Sequence, residues 1–407
     1  MSVQPVSVVI VSRHRPDELR KCLRSLQFQT HQNFEVIVVA DPTSLAAVEA
    51  VGLQDQVKTQ LFDEANISAA RNVGIGLAAG EVVAFIDDDA IAEPTWLSRL
   101  TALFQTHDIA AAAGFVRSRN GLSYRWRGDH ILPWGELRRF IADGLSIYGP
   151  EEEHPVLTIG ANCTFRRDAL VEIGGFDPNF RMGLDDADVN VSLTAKGYCT
   201  AIIPDAQVQH VPAASAYRTN RQVPLSLREN GASFGWWFKK RDRPTAEFER
   251  IRSALRDGFL TLRLNRGDIE PRDMARLLAG LDQGFADGQT RQPIVREIPP
   301  VVASFRRFSP ILNGPHTVLR GHFSARESLF TEARALAKQG RVVTVFLFSR
   351  TTLYHKRWFH PDGFWVQSGG VFGKSYRSDP LFRRFNYDAR VKREVADLAQ
   401  TRELDRV

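Results

Sequence analysis

Residues 66–90 read NISAARNVGIGLAAGEVVAFIDDDA, and this stretch decides the fold. Its first part, residues 66–79, predicts a helix that Gly80 ends, since glycine commonly follows the last helical turn. The apolar run VVAFI (82–86) is typical of a strand that is buried on both faces. It leads directly into Asp87-Asp88-Asp89. The pattern therefore predicts a helix followed by a strand, with three carboxylates at the carboxyl end of that strand.

The preceding sequence shows the same alternation of strands and helices. VSVVIVS (6–12) and FEVIVVA (34–40) predict two more buried strands, and Pro16 starts an amphipathic helical pattern between them. Such alternation indicates an α/β fold with a mostly parallel sheet and right-handed crossovers. Ligands of open α/β sheets bind beyond the carboxyl ends of the strands. We therefore expect Asp41 and the Asp87–Asp89 group at a ligand site.

Weaker patterns continue the fold to residue 214. LTIGANCTFRR (157–167) predicts a strand, residues 184–196 a helix, and residues 202–204 and 208–211 two short strands. Residues 116–156 lose periodicity. Two interpretations of that segment stay open, namely a lid or acceptor-binding insertion and a surface excursion without a role.

The composition is that of a globular chain with room for two or three domains. The chain has 407 residues, of which 43% are hydrophobic and 25% charged, which excludes a disordered chain, a collagen and a coiled coil. No apolar run is long enough to predict a membrane-spanning helix, and the first residues do not resemble a signal peptide. Three cysteines without a disulfide or zinc pattern favour a reducing compartment. These features predict a cytoplasmic protein, with peripheral contact to the inner membrane surface left open.

The charge is unevenly distributed along the chain. Residues 1–214 contain 18 Lys and Arg against 27 Asp and Glu, a net charge of −9, whereas residues 215–407 contain 35 against 20, a net charge of +15. The basic half is interpreted either as helices with solvated basic faces or as a surface that attracts an anionic membrane or a phosphate-bearing acceptor. Because no nucleic-acid motif accompanies the charge, we predict no nucleic-acid partner.

The sequence predicts three domains: an α/β domain over 1–214, a helical extension over 215–292 and a smaller C-terminal α/β segment over 293–407. In the helical extension, the aromatic residues at 234 and 236–238 precede the basic run 239–243. This arrangement suits a membrane interface and suits packing against the first domain equally well.

Two acidic groups carry the chemistry. Three adjacent carboxylates at Asp87–Asp89 repel one another, so a divalent cation with oxygen ligands is their natural partner. The alternative is an acidic cluster favoured by a helix dipole. Asp185, Asp186 and Asp188 lie in the first turn of a predicted helix, where they are either a capping cluster or a source of a proton acceptor for an attacking hydroxyl.

Two further residues have a structural and a functional interpretation. His210 is either a structural histidine or completes a metal shell with Asp89, since imidazole suits Mn²⁺-like ions. Arg71, near the start of a helix, is either a surface residue or a partner for a diphosphate.

Six segments, in this order and spacing, resemble family 2 glycosyltransferases of GT-A fold. The resemblance covers about residues 5–212. It implies a nucleotide-sugar donor, with a UDP-sugar favoured, a Mn²⁺ or Mg²⁺ ion, inversion at the anomeric carbon, and a glycan or lipid-linked acceptor in cell-surface polysaccharide or glycolipid synthesis. The segments are VSVVIVSRHRP, FEVIVVADPTS, ISAARNVGIGLAAGEVVAFIDDDA, IGANCTFRRDALVEIGGFDPNF, DDADVNVSLTAKGY and PDAQVQHV.

The resemblance also implies roles for individual residues. On the donor side, Asp41 matches the carboxylate that binds the base, Ser12 lies in the loop beside it, Arg71 matches a residue that reaches the diphosphate, and Asp88 lies nearest the ribose. Asp89 matches the metal-binding carboxylate, assisted by Asp87 and His210. Asp186 matches the general base. Asp185, Asn162 and Trp134 are assigned to the acceptor.

The sequence departs from the family pattern at several positions. The first loop, often Pro-Thr-Tyr-Asn, is Val11-Ser12-Arg13-His14, and the usual Asp-Asp-Gly-Ser is Ala40-Asp41-Pro42-Thr43. The usual Glu-Asp is Asp185-Asp186, and Ser192 replaces a frequent arginine. The alternatives are a nucleotidyltransferase, whose Gly-rich, Lys-bearing first loop is absent, and a non-catalytic nucleotide-sugar-binding regulator or scaffold.

Overall fold

A ten-stranded sheet forms the centre of the first part of the chain. The computed structural model describes residues 4–295, 298 and 304–404. The strands up to residue 210 are β1 (Val6–Ser12), β2 (Phe34–Ala40), β3 (Val57–Leu61), β4 (Val82–Ile86), β5 (Ala90–Ala92), β6 (Ile109–Arg117), β7 (Tyr124–Trp126), β8 (Asp129–Ile131), β9 (Leu137–Arg139), β10 (Ser146–Tyr148), β11 (Asn162–Arg166) and β12 (Cys199–His210).

The order of the strands confirms the predicted α/β class. The main path of the sheet is β10-β12-β6-β11-β4-β1-β2-β3, with β5 paired to β12 and β7 paired to β6, while β8 and β9 form a separate ribbon. The strands β3, β2, β1, β4, β6 and β12 run in one direction, and β11 runs against its neighbours β4 and β6. The parallel strands therefore end at one edge.

Helices cover both faces of this sheet. They are α1 (Pro16–Leu26), α2 (Pro42–Ala50), α3 (Ile67–Leu77), α4 (Trp96–Thr101), α5 (Arg167–Glu172) and α6 (Asp185–Ala195). The helices that follow are α7 (Arg228–Lys240), α8 (Phe248–Ala254), α9 (Thr261–Asn265) and α10 (Pro271–Thr290), and residues of α7, α8 and α10 share a third core cluster. One core cluster joins a sheet face to α1, α2 and α4, and a second joins the other face to α3, α5 and α6. Burial on both faces explains the continuous apolar runs of β1, β2 and β4.

The structure differs from the predicted elements at three places in the first part of the chain. The two short strands expected at 202–204 and 208–211 are parts of the single strand β12, which has an irregularity between Ile203 and Val208. Helix α2 was not predicted, although Asp41 caps its start and Pro42 opens it. The irregular segment 116–156 contains the short strands β7–β10.

The aromatic residues of α7 are packed inside the protein. Trp236, Trp237 and Phe238 are at most 3% exposed, in a core cluster with residues of α10. The following Lys240 donates to Asp177 and to Asp188 of α6, at 2.8 and 2.9 Å. For this segment the packing interpretation is therefore correct, and the aromatic residues are not available to a membrane.

The C-terminal part has its own four-stranded sheet. Its elements are β13 (Thr317–Gly321), α11 (Arg326–Lys338), β14 (Val343–Ser349), β15 (Lys356–His360), β16 (Phe364–Gly370) and α12 (Tyr387–Leu398). The order is β13-β14-β16-β15, with only β15 antiparallel to its neighbour. Among the described residues, no helix combines the length and the apolar character needed to cross a membrane.

Candidate active site

A cavity of about 500 Å³ lies beyond the carboxyl ends of β1, β4 and β12. This is the edge at which ligands of open α/β sheets bind. Its lining comes from segments far apart in the chain, which are residues 11–15, Phe62, 64–67, Ala70, 87–89, 181–182, His210 and 214–218. The predicted donor residue Ser12 and the predicted metal ligands all line it.

Strand pairing places Asp89 beside His210. The short strand β5 starts directly after Asp89 and pairs antiparallel with the end of β12, where Ala90 lies opposite His210. The Oδ1 atom of Asp89 is 2.8 Å from Nε2 of His210, and Oδ2 of Asp87 is 3.7 Å from the same nitrogen. One ligand atom from each of these three residues lies within 4.8 Å of the others.

The chemistry of this cluster fits a divalent cation. Although Oδ1 of Asp89 and Nε2 of His210 are close, they lack the alignment of a hydrogen bond, and both are buried without another hydrogen-bond partner in the described part of the chain. A carboxylate oxygen and an imidazole nitrogen at this separation can bind the same metal ion when the nitrogen is unprotonated. Two carboxylates and one imidazole suit Mn²⁺. Burial opposes ionisation of Asp89, but His210 and the backbone amide of Ala213 outweigh it and hold the pKa of this carboxyl below its usual value.

Asp88 points toward the first loop rather than toward His210. Its Oδ2 accepts a hydrogen bond from Ser12 Oγ at 2.7 Å, and its Oδ1 accepts one from Arg15 Nη1 at 3.0 Å. The same guanidinium nitrogen lies 3.2 Å from Oδ2 of Asp89. Burial raises the pKa of Asp88 to about 7, although Arg15 opposes the rise. Arg15 therefore neutralises part of the charge of the acidic group.

One arginine joins the two acidic groups. Arg71, in α3, is 4% exposed, and its Nη1 lies 2.5 Å from Oδ2 of Asp185, while its Nη2 lies 3.6 Å from Oδ1 of Asp87. The guanidinium also lies over the ring of Phe176, 5.1 Å from its centroid. The start of α6 and the end of β4 are thus brought together across a single buried side chain.

Asp186 lies at the start of α6, and its pKa is suited to proton transfer near neutral pH. Its two carboxylate oxygens accept hydrogen bonds from the backbone amides of Gly160 and Ala187, at 3.2 and 2.9 Å. Burial and the neighbouring Asp185 raise its pKa to about 7. A general base works best when its pKa is near the operating pH.

The turn before α6 is strained. Leu184 has a φ of 65°, directly after Gly183 with a φ of 77°. Left-handed backbone costs a residue such as leucine about 1 kcal/mol. This turn aims the first residues of the helix at the sheet edge, and such strain is concentrated at functional sites.

Asp41 holds the loop after β1 in place through a hydrogen bond to the backbone of His14. It is fully buried, and it accepts hydrogen bonds from the backbone amides of His14 at 2.7 Å and Thr43 at 3.0 Å. The bond to His14 holds that residue at a φ of 58°, and His14 lines the cavity. Asp41 itself is not part of the lining. Its expected contact with a base stays a prediction.

Two residues that were assigned to the acceptor, Asn162 and Trp134, are not part of the lining of the cavity. Asn162 is fully buried, where its amide accepts from the indole of Trp96 and donates to the carbonyl oxygens of Phe115 and Ala206. These bonds hold β6, β11 and β12 together, and two of them use the amide nitrogen of Asn162 as the donor. Trp134 is half-buried beside the helical extension and donates to Glu136.

Sequence reasoning missed two parts of the site. Arg15 carried no motif signal, because only folding brings it beside Asp88. The segment 214–218, with Tyr217 and Arg218, was divided at the expected domain boundary of 214, although it lines the cavity. The one feature of the sequence that could have indicated its place at the site is its position shortly after His210.

Comparisons with known proteins identify relatives of this chain. The sequence model described as "Glycosyltransferase like family 2" matches residues 4–229. A Rhizobium meliloti protein named "Succinoglycan biosynthesis protein ExoM" is 30% identical over 291 residues, 68% of this chain and 81% of that protein. A Haloferax volcanii protein named "Glucosyl-dolichyl phosphate glucuronosyltransferase" is 31% identical over 180 residues, 43% of this chain. The alignment spans about half of that relative, 56% of its length.

Among solved structures, a mannosyltransferase has low sequence identity and a low structural similarity score to this chain. It is titled "Mannosyltransferase PcManGT from Pyrobaculum calidifontis in complex with GDP-Man and Mn2+", and it is 16% identical, with a TM-score of 0.45 over 71% of this chain and 88% of that chain. A likeness at this level carries no argument about ligands.

Proposed function

The chain belongs to glycosyltransferase family 2, and we propose that it transfers a sugar from a nucleoside diphosphate sugar, with UDP-sugars favoured, to a hydroxyl of a glycan or lipid-linked acceptor. The names of the two relatives support polysaccharide or glycolipid synthesis as the setting. The observation that carries the proposal is the Arg71 guanidinium, which contacts Asp87 of the acidic group at β4 and Asp185 of the acidic group at α6 and so holds the two groups close together.

Three residues would hold a divalent cation in this reaction. Asp87, Asp89 and His210 converge, and their oxygen and nitrogen ligand atoms suit Mn²⁺ or Mg²⁺. Among the described residues, Oδ1 of Asp89 and Nε2 of His210 have no hydrogen-bond partner. Such an ion, when bound, neutralises the charge that develops on a diphosphate leaving group. Arg15 and Ser12 hold Asp88 away from this cluster, so that Asp88 faces the cavity from the side of the first loop.

Asp186 is the proposed general base. It removes the proton of the acceptor hydroxyl, whose oxygen attacks the anomeric carbon from the face opposite to the diphosphate. The new carbon–oxygen bond forms as the bond to the diphosphate breaks, and the proton remains on Asp186. A single displacement of this kind inverts the anomeric configuration. The raised pKa of Asp186 supports the role, because the carboxylate form accepts a proton readily near neutral pH.

The test uses the full chain with Mn²⁺ and a panel of UDP-, GDP- and dTDP-sugars. Release of nucleoside diphosphate is the readout for activity, and thermal shift is the readout for binding. We expect the Asp186→Asn variant to lose about 10²–10⁴-fold in turnover while still binding the donor. Asp89→Asn should lose the Mn²⁺-dependent thermal shift. Asp168→Asn, an exposed aspartate at the start of α5, is the matched control and should leave both readouts unchanged.

Three outcomes would overturn the proposal. Binding of nucleotide sugars without release of any product would favour the scaffold or regulator. Release of sugar 1-phosphate, with the nucleoside monophosphate transferred by attack at the α-phosphate, would indicate a nucleotidyltransferase. A product with retained anomeric configuration, determined by NMR, would exclude the single displacement.

A further inference from the structure

Three parallel strands of the C-terminal sheet end at one edge, and the loops that follow them interlock. The strands are β13, β14 and β16. The amide of Val371 donates to the carbonyl of Ser349 at 2.8 Å, and the amide of Phe372 donates to Thr351 at 3.1 Å, which joins the loops after β14 and β16. The ring of His322, after β13, lies 5.0 Å from that of Tyr387 at the start of α12. These loops therefore form one continuous surface, which we call the C-terminal edge.

Large apolar side chains of the C-terminal edge are exposed to solvent. All five are close to half exposed or more, and they come from all three loops. They are Phe323 (46%), Leu353 (58%), Tyr354 (65%), Leu381 (72%) and Phe382 (57%). An exposed apolar group of this size marks an interaction site rather than a packing defect.

The loops that carry these apolar side chains also carry basic residues. The loops after β14 and β16 contain Arg350, Lys374, Arg377, Arg383 and Arg384, and none of these five has a carboxylate partner among the described residues. Asp379, the one acidic residue in these two loops, is bonded to Arg393 of α12. The C-terminal edge therefore combines apolar groups with an excess of positive charge.

This combination selects one kind of partner. Aromatic and aliphatic side chains next to lysine and arginine suit the interface of a bilayer with anionic headgroups. A second copy of the same surface is a poor partner, since two-fold pairing would bring the cations of both copies together. We propose that the C-terminal edge docks on an anionic membrane surface, with Leu353, Tyr354, Leu381 and Phe382 at the level of the headgroups. The inference is independent of the proposed transferase activity.

Co-sedimentation of the full chain with vesicles tests this proposal. The vesicles are phosphatidylcholine alone or phosphatidylcholine mixed with phosphatidylglycerol. We expect pelleting with the anionic vesicles, and less of it as the salt concentration rises. The double variant Leu353→Asp/Leu381→Asp should bind the anionic vesicles at least about tenfold more weakly than the unmodified protein. The reason is that it places negative charge where contact with apolar chains and anionic headgroups is expected. Both side chains are more than half exposed, so the fold should tolerate the change.

A matched control and a charge variant make the result specific. Ile141→Asp/Leu145→Asp changes two equally exposed side chains, 61% and 55%, on the first domain and should bind vesicles as the unmodified protein does. Arg383→Glu/Arg384→Glu should also weaken binding about tenfold or more, since each cation near an anionic surface contributes to attraction.

The proposal is overturned if no protein pellets with anionic vesicles, or if the control variant loses binding as strongly as the Leu353/Leu381 variant. It is also overturned if light scattering shows a dimer that the Leu353/Leu381 variant abolishes, because the C-terminal edge is then an interface between copies. Release of nucleoside diphosphate with soluble substrates should be unchanged in the Leu353/Leu381 and Arg383/Arg384 variants, which separates this test from that of the proposed activity.

Discussion

The carboxyl of Asp186 differs from an ordinary surface aspartate in how tightly it holds its proton. It is half-buried and lies beside the buried Asp185, and among the described residues two backbone amides donate hydrogen bonds to it. Burial and the charge of Asp185 together raise its pKa to about 7. The same raised pKa means that the ionised form of Asp186 lowers the stability of the folded protein.

The pH dependence of activity follows from this residue. If Asp186 is the base, kcat/KM falls as the pH is lowered through about 7, because the carboxyl becomes protonated. The measurement is initial rates of nucleoside diphosphate release between about pH 5.5 and 8.5 at saturating Mn²⁺. A rate that stays constant as the pH falls through that range would remove Asp186 from the role.

Stability should respond in the opposite sense. A carboxyl whose pKa is raised on folding binds its proton more tightly in the folded state, so the free energy of unfolding decreases as the pH rises from the ordinary value near 3.8 to about 7. Asp186→Asn removes that charge. Its Tm at pH 8 should therefore be higher than that of the unmodified protein, even though its activity is lower.

At the scale of elements, glycines set the distance between α7 and α10. A Cβ atom added at Gly284 of α10 would overlap the carbonyl oxygen of Arg228, and one added at Gly231 of α7 would overlap that of Leu281. The two helix backbones are therefore in direct contact. This contact keeps Lys240, at the end of α7, in reach of Asp188 behind the candidate site.

Two glycine variants of the same helix test this packing. Gly284→Ala should lower the Tm by several degrees, because the helices must separate and the aromatic cluster beneath them loses its packing. At Gly280 the nearest heavy atom to an added Cβ is 3.9 Å away. Gly280→Ala should therefore be neutral or stabilising by up to about 1 kcal/mol, since alanine favours helix over glycine. Equal destabilisation by both variants would contradict the close contact.

At the scale of the whole molecule, a buried ion pair ties the C-terminal part to the first sheet. Arg402 donates to both carboxylate oxygens of Glu93, at 2.6 and 3.0 Å, and its guanidinium lies 4.3 Å from the ring centroid of Trp365. Burial opposes ionisation of Glu93, but Arg402 outweighs it and lowers the pKa of that carboxyl. The contribution of this pair is therefore present at neutral pH and is lost as the pH falls below the usual range of glutamate.

Removal of one partner should be costly. Arg402→Met leaves the Glu93 carboxylate buried and unpaired, which we expect to lower the free energy of unfolding by about 3–5 kcal/mol. Arg334→Ala, which removes an exposed pair with Asp362, is the control and should cost less than about 1 kcal/mol. Urea denaturation measures both, and a loss at Arg402 no larger than that at Arg334 would contradict the buried role.

The sequence by itself determined the class of the fold and the types of residue at the site. The apolar runs at β1, β2 and β4 predicted a mostly parallel sheet, because strands buried on both faces need no polar alternation. The acidic residues after β4 followed from the same reasoning. The resemblance predicted the family, which the match to the family model confirms, and the strand order confirms the α/β class. The grouping of Asp87, Asp89 and His210 was expected, and the structure brings these residues together.

Only the tertiary structure decided which charges neutralise one another. Arg15 pairs with Asp88 and Asp89, which are 73 and 74 residues away in the sequence. Arg71 pairs with Asp185, 114 residues away, and also lies near Asp87. Local patterns carry no information on such pairs, because the partners become neighbours only when β1, β4 and the start of α6 reach the same edge of the sheet. Likewise, composition shows that the C-terminal half is basic, but only folding decides which cations are paired and which remain at the C-terminal edge.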